Sequence, residues 1–314
     1  MSNAISGGTD FEISVPASIA NLGPGFDTLA VAVKLYLHVR ARVVEGVNQL
    51  SFRFVGQELR GENYIERAFR FFAMQFGSEL PSLEVEVRSE IPMAAGLGSS
   101  AAATVAGLRL YEAVVGPILP KVMLDAAAKL EGHTDNAAAA LFGGLVVTGE
   151  LAEGSAFAAA YPWPVALQFV VLTPHVALPT SEARKVLPDV LSRKDAVFNL
   201  QRLALLLQSL QSGDYSMLRA AFEDRLHQPF RALLVPGQKE SLELTHDDLL
   251  GVFLSGAGPS IAALTASDTA SIATLLANTY RSLDIPFTLR TLTVHQNQTL
   301  PFGASPQEPP RLCV

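Results

Sequence analysis

Pro92-Met-Ala-Ala-Gly-Leu-Gly-Ser-Ser-Ala-Ala-Ala103 is a glycine-rich turn that runs directly into a long apolar helical pattern. Immediately before it, Leu83-Glu-Val-Glu-Val-Arg-Ser-Glu-Ile91 alternates as a half-buried strand does. A strand, a Gly/Ser turn and a helix start, in that order, make a site for phosphate. Gly96 and Gly98 let the backbone approach a ligand closely, and the helix start offers unpaired N–H groups at a positive dipole end. Ser99 and Ser100 are placed to cap the helix or to give hydroxyls to phosphate oxygens or a metal. The segment lacks the lysine of a Walker loop and the spacing of a dinucleotide GxGxxG. Alone, it also reads as an ordinary capped helix after a tight turn.

Working outward, the 314 residues suit one large domain or two modest ones. With 49% apolar and 17% charged residues the chain has the composition of a globular protein. A net charge of −7 without a Lys/Arg cluster argues against a nucleic-acid partner. An acidic protein that binds polyphosphate must then supply positive charge locally, from arginines, backbone amides and Mg²⁺. The single Cys313 excludes a disulfide framework and a thiolate metal site. The start, MSNAISGGTD, lacks a basic region followed by an apolar run, and the apolar stretch 101–119 is interrupted by Arg109 and Glu112. The expectation is a soluble cytoplasmic protein with no membrane partner.

Strand patterns cover 11–15, 29–43 and 50–55, with a Pro/Gly-rich loop expected over 16–27. Ile65, Ala68, Phe69, Phe72 and Phe76 recur at helical spacing over 63–76. Helices are predicted over 99–115, 120–131 and 134–141, then a buried strand over 143–148. Pro162 and Pro164 mark a domain boundary. Beyond it come a buried strand over 166–172, helices over 195–210 and 215–226, a hairpin-like pair at 250–254 and 261–264, a helix over 269–281 and a strand over 287–294. The proline-rich stretch 301–314 is expected to be mobile. Strands in blocks beside several helices indicate α+β.

Four polar islands interrupt this apolar chain: Val15 to Asp27, the Gly/Ser turn, Glu131-Gly-His-Thr-Asp-Asn136, and Ser255-Gly-Ala-Gly-Pro-Ser260. Each alone is modest, since such clusters usually make turns. His133 alone is more often structural, Asp135-Asn136 alone a helix cap, and Asp125 alone a solvated helix residue. Together they resemble the three motifs of the GHMP small-molecule kinases. The 92–102 segment is similar to the phosphate-binding second motif and Leu254-Ser-Gly-Ala-Gly-Pro-Ser260 to the third. Pro16-Ala-Ser-Ile-Ala-Asn-Leu-Gly-Pro-Gly-Phe-Asp27 and Glu131 to Asn136 resemble the homoserine kinase branch. So do Leu178-Pro-Thr-Ser-Glu-Ala-Arg184 and Asp224-Arg-Leu-His-Gln-Pro-Phe-Arg231. Ala30 stands where that branch commonly has glycine, and Thr134 where it has proline.

The resemblance implies a two-domain α+β fold. Residues 1–164 would form an ATP-binding α/β domain like domain 2 of ribosomal protein S5, and residues 165–300 a ferredoxin-like α+β domain. It implies ATP-dependent phosphorylation of the side-chain hydroxyl of L-homoserine to O-phospho-L-homoserine, a step towards threonine, by direct transfer. Another hydroxyl acceptor and a non-catalytic binding homologue are the alternatives. Asn63, Pro92, Gly96, Leu97, Gly98, Ser99 and Ser100 would hold ATP. Ser100 and a carboxylate would hold Mg²⁺; family spacing points to Asp125, with Glu131 as its local competitor. Arg184 and Arg231 would bind the acceptor carboxylate, beside Thr180, and Asn21 and Asp27 its ammonium. His133, Asp135 and Asn136 would line the reacting hydroxyl, with Asp135 either a base or a positioning group. A homodimer is expected by family analogy.

Overall fold

The computed structural model describes residues 8–56, 59 and 61–296, and the backbone of 312–313. Most of the proline-rich stretch expected to be mobile therefore lies outside the described residues.

The first sheet is built on β2 (Leu29–Val47), whose Lys34-to-Val43 half alternates buried and exposed positions as its sequence alternates. β1 (Asp10–Ala20) pairs antiparallel with it. β3 (Leu50–Val55) runs parallel to β4 (Pro81–Ser89), joined by α1 (Tyr64–Phe76), as a parallel pair requires a crossover. The Asn63 side chain caps α1 by accepting from Glu66 N–H, and Gly77 ends it in the left-handed conformation. α2 (Ser99–Val115), α3 (Pro120–Glu131) and α4 (Asp135–Phe142) follow β4, then β5 (Leu145–Glu150) and β6 (Ala156–Tyr161). α2 is buried around most of its circumference, which its Ala-, Val- and Leu-rich composition permits.

The second sheet has the order β10-β7-β9-β8 and is wholly antiparallel. Its strands are β7 (Gln168–Pro174), β8 (Gly251–Leu254), β9 (Ile261–Thr265) and β10 (Phe287–Leu292). Between β7 and β8 lie α5 (Thr180–Lys185), α6 (Arg193–Ser212), α7 (Leu218–Ala221), α8 (Gln228–Arg231) and α9 (Gln238–Leu242); α10 (Thr269–Ser282) precedes β10. Numbered within this unit the strand order is 4-1-3-2, the βαββαβ ferredoxin-like arrangement. β11 (Leu312–Cys313) pairs with β6 at the edge of the first sheet.

The two sheets share a core. Along β7, Phe169 and Val171 join the large cluster beneath the first sheet, while Val170 and Leu172 face a smaller one against α10. Continuous burial on both faces explains why this strand reads as an unbroken apolar run. After β10, Val294 and Gln296 bridge back to Val33 and Gly143 of the first unit. Among the described residues no helix is long and apolar enough to cross a membrane.

Two local expectations need correction, and one strand had no counterpart among them. The stretch 16–20 is strand, not loop: β1 passes Pro16 through a bulge, on a strand with a single sheet neighbour where the missing N–H removes no ladder bond. The predicted helix over 215–226 shrinks to α7, because the Asp224 carboxylate accepts from the N–H groups of Leu226, His227 and Gln228 and turns the chain. β6, alanine-rich, carries little strand signal of its own.

Candidate active site

The end of β1, the β4–α2 turn, the α3–α4 turn, α5, α8 and the β8–β9 turn converge on one cleft of about 620 Å³. Phe54, Leu59, Tyr64 and Met93 are among its apolar lining residues, and Asp27, Asp135, Arg184 and Arg231 supply charge.

The Gly/Ser turn is stitched in place by its carbonyls. Ala94 O accepts from Leu178 N–H (3.3 Å), Ala95 O from Ser260 N–H (3.2 Å) and Leu97 O from Ser18 N–H (3.2 Å). Gly96 O accepts from Ser255 Oγ at 2.7 Å. A trans peptide points its C=O and the next N–H in opposite directions, so the amides of 95–98 point away from these packed loops. Gly98, at φ 70°, opens α2 with no side-chain cap, leaving the first-turn N–H groups for a ligand. Both glycines are also sterically required. A Cβ on Gly96 would lie 2.3 Å from Ser255 O, and one on Gly98 2.1 Å from Ser18 Oγ.

Beside this turn Ser100 Oγ donates to Glu131 Oε2 at 2.8 Å. Thr104 Oγ1 donates to Glu131 Oε1, and Arg67 Nη2 stands 3.8 Å from it. Two ligands on adjacent corners of a Mg²⁺ octahedron lie about 2.9 Å apart, so this pair of hard oxygens fits that cation. Asp125 does not take part. Its carboxylate pairs with Lys121 Nζ at 2.8 Å, accepts from Ala156 N–H at 3.0 Å, and does not line the cleft. Pro92 and Leu97 also lie outside the lining, and the Leu97 side chain is core.

Asp135 is buried, and Oδ1 accepts from Asn136 N–H (2.7 Å), His133 Nδ1 (2.8 Å) and Asn136 Nδ2 (3.2 Å). Burial alone would lower the His133 pKa, but the hydrogen bond and charge of Asp135 overcome it and hold the imidazole above its ordinary value. Asn136 Oδ1 accepts from Ser18 Oγ at 2.8 Å, tying this turn to β1.

The cleft also holds two guanidinium groups. Arg184 clasps the Asp27 carboxylate with Nη1 at 2.9 Å and Nη2 at 2.8 Å, which raises its pKa. Arg231 is 1% exposed and has no carboxylate within ion-pair distance among the described residues. Its Nε donates to Ala183 O (3.1 Å) and its Nη1 to Gly256 O (3.1 Å), while Nη2 has no protein partner there. Burial, then the charge of Arg184, lowers its pKa to about 10. A buried cation without an anion is costly. Thr180 lines the cleft at the start of α5. The Asn21 amide is engaged within the protein: Nδ2 donates to Gly256 O at 2.9 Å and Oδ1 accepts from Asp27 N–H at 3.1 Å. It holds the loop that presents Asp27.

Sequence reasoning did not single out Ser18, Thr104, Phe26 or His227. Phe26 lies under both arginines, 5.6 Å from Arg184 Cζ and 5.3 Å from Arg231 Cζ. Its place inside the first polar island was the available signal.

Family models for the GHMP kinase N-terminal domain and C-terminal region match residues 63–144 and 206–279. The homoserine kinase of Solibacter usitatus is 42% identical over 80% of this chain and 84% of its own length. That of Deinococcus radiodurans is 43% identical over 80% and 83%. The crystal structure of homoserine kinase from Cytophaga hutchinsonii superposes with a TM-score of 0.82 at 26% identity, covering 96% of this chain and 97% of that one. With this identity over four-fifths of its length, and with the family's motifs gathered on one cleft, the chain belongs to the homoserine kinase family of GHMP kinases.

Proposed function

We propose that the protein transfers the γ-phosphoryl group of ATP to the side-chain hydroxyl of L-homoserine, giving ADP and O-phospho-L-homoserine. The observation that carries the acceptor class is Arg231: a buried guanidinium without a carboxylate partner among the described residues, in the same cleft as the Gly/Ser turn. It matches a small organic carboxylate, and Asp27 beside it matches an ammonium group.

The amides of 95–98 and the α2 N-terminus hold phosphate oxygens, with the nucleoside towards Asn63 and its apolar neighbours. Ser100 and Glu131, rather than Asp125, would hold Mg²⁺, whose chemistry would be charge neutralisation on the triphosphate. Among the described residues no group of three or more His, Cys, Asp or Glu side chains is placed to hold a metal ion by itself, so phosphate and water oxygens would complete the shell. Asp135, backed by His133 and Asn136, hydrogen-bonds the acceptor hydroxyl and aligns it. As the new O–P bond forms, the β,γ-bridging bond breaks and the hydroxyl proton leaves through Asp135. A loose transition state asks mainly for positioning and charge stabilisation.

An ADP-release assay across hydroxyl acceptors tests this reading. Turnover with L-homoserine is expected; rapid turnover on mevalonate with none on L-homoserine would overturn it. Asp135→Asn should lower kcat by about 100-fold or more with ATP KM unchanged. A loss of only a few-fold would leave Asp135 no proton role.

A further inference from the structure

His227 is fully buried against Arg231. A guanidinium has donors and no acceptor. His227 Nδ1, 3.1 Å from Arg231 Nη1, must therefore carry the lone pair. The ring proton then lies on Nε2, which donates to Gly23 O at 2.8 Å. A protonated ring would have no acceptor to offer and would set a second cation against Arg231. The surroundings favour the neutral form. Burial lowers the His227 pKa, opposed by the charge of Asp224 and reinforced by Arg231, with Asp27 the other charge that reaches it. The Asp224 carboxylate, 3.6 Å from Nε2, is occupied by Asn199 and three backbone N–H groups. Phe26 stacks on the imidazole at 5.2 Å and 25°.

These contacts fix how the guanidinium is rolled. Nε is held by Ala183 O, and Nη1 by His227 and Gly256 O, so Nη2 is the remaining nitrogen. We propose that neutral His227 is a positioning residue for the acceptor site: by accepting from Nη1 it makes Nη2 the nitrogen offered to the acceptor carboxylate. Through Gly23 the same ring couples Arg231 to the loop that presents Asp27. This rests on reading the cleft as an amino-acid acceptor site.

Asparagine and glutamine separate the two imidazole roles. His227→Asn keeps an acceptor near the Nδ1 position; His227→Gln keeps the donor to Gly23 and removes the acceptor. In the full chain, His227→Gln should raise the L-homoserine KM about tenfold or more, with kcat and ATP KM within about twofold. His227→Asn should restore the KM to within about threefold of the starting protein. Equal KM losses in both variants, or kcat and ATP KM falling together, would overturn the proposal. Imidazole ¹⁵N shifts of the unaltered protein give a check that needs no variant. They should report one Nε2–H tautomer that does not titrate between about pH 6 and 8, and an Nδ1–H or titrating ring overturns it. Arg231→Lys separates the two layers. An unchanged L-homoserine KM there takes down the acceptor reading itself; a raised KM there, with His227→Gln silent, takes down only the role of His227.

Discussion

Asp27 and Arg184 meet in a two-pronged ion pair, at 2.8 and 2.9 Å, that joins the loop after β1 to α5. Asp27 is held for this at φ 51° by the Asn21 amide, and Arg184 reaches it from the opposite unit of the fold. A zwitterionic acceptor entering beside this pair can exchange one internal ion pair for two external ones. Both groups are more than a third exposed, so the pair itself adds little stability.

Arg184→Ala should therefore act on acceptor binding rather than on folding. The expected outcome is an L-homoserine KM raised about 10- to 100-fold, with ATP KM and melting temperature little changed. Steady-state kinetics in each substrate check this; an unchanged acceptor KM removes Arg184 from the site.

Glu131 and Asp125 should separate cleanly. Glu131→Gln weakens a carboxylate held by Ser100, Thr104 and Arg67, so kcat should fall about 100-fold or more and its Mg²⁺ dependence shift upward. Asp125→Asn loosens a half-exposed pair with Lys121 and should cost about 1 kcal/mol or less of stability, leaving the Mg²⁺ titration unmoved. The reverse pattern in titrations and melts would return the metal to Asp125.

Gly96→Ala places a Cβ against backbone on the β8–β9 turn at positive φ, and backbone cannot rotate away as a side chain can. A loss of about 2–4 kcal/mol in unfolding free energy is expected, together with weakened ATP binding. Denaturant titration measures it, and a loss within about 0.5 kcal/mol would mean that the two turns are not packed as described.

His133 provides a pH signature. Its pKa is raised in the folded state, so protonated His133 stabilises the fold fully below the unfolded value of about 6.5. That contribution is lost as pH rises through the raised folded value. The stability gap between the unaltered protein and His133→Asn should thus narrow as pH rises above about 6.5 and through the raised folded value. A gap that widens over that range reverses the sign and discards the His133–Asp135 assignment.

Much of the Gly/Ser turn was legible because its constraints are local. Positive φ at glycines 96 and 98, the cap at Asn63 and the alternation before the turn all follow from neighbours in the chain. The groups that finish the site are remote in sequence. Arg184 and Asp27 are 157 residues apart, and Ser18 and Asn136 are 118 apart. Nothing in either stretch states that a hydroxyl of β1 abuts Gly98, or that Asn21 holds its own loop instead of facing a ligand.

The two candidate metal carboxylates show where the division falls. Asp125 and Glu131 lie six residues apart on α3, so about 100° per residue sets them on different faces. The sequence by itself determined that these two carboxylates point in different directions, and that a Gly/Ser turn waits at the start of α2. Only the tertiary structure decided which face of α3 meets α2. That choice rests on burying Met123, Leu124 and Ala127 in the core, and it carries Glu131 to Ser100 and leaves Asp125 with Lys121.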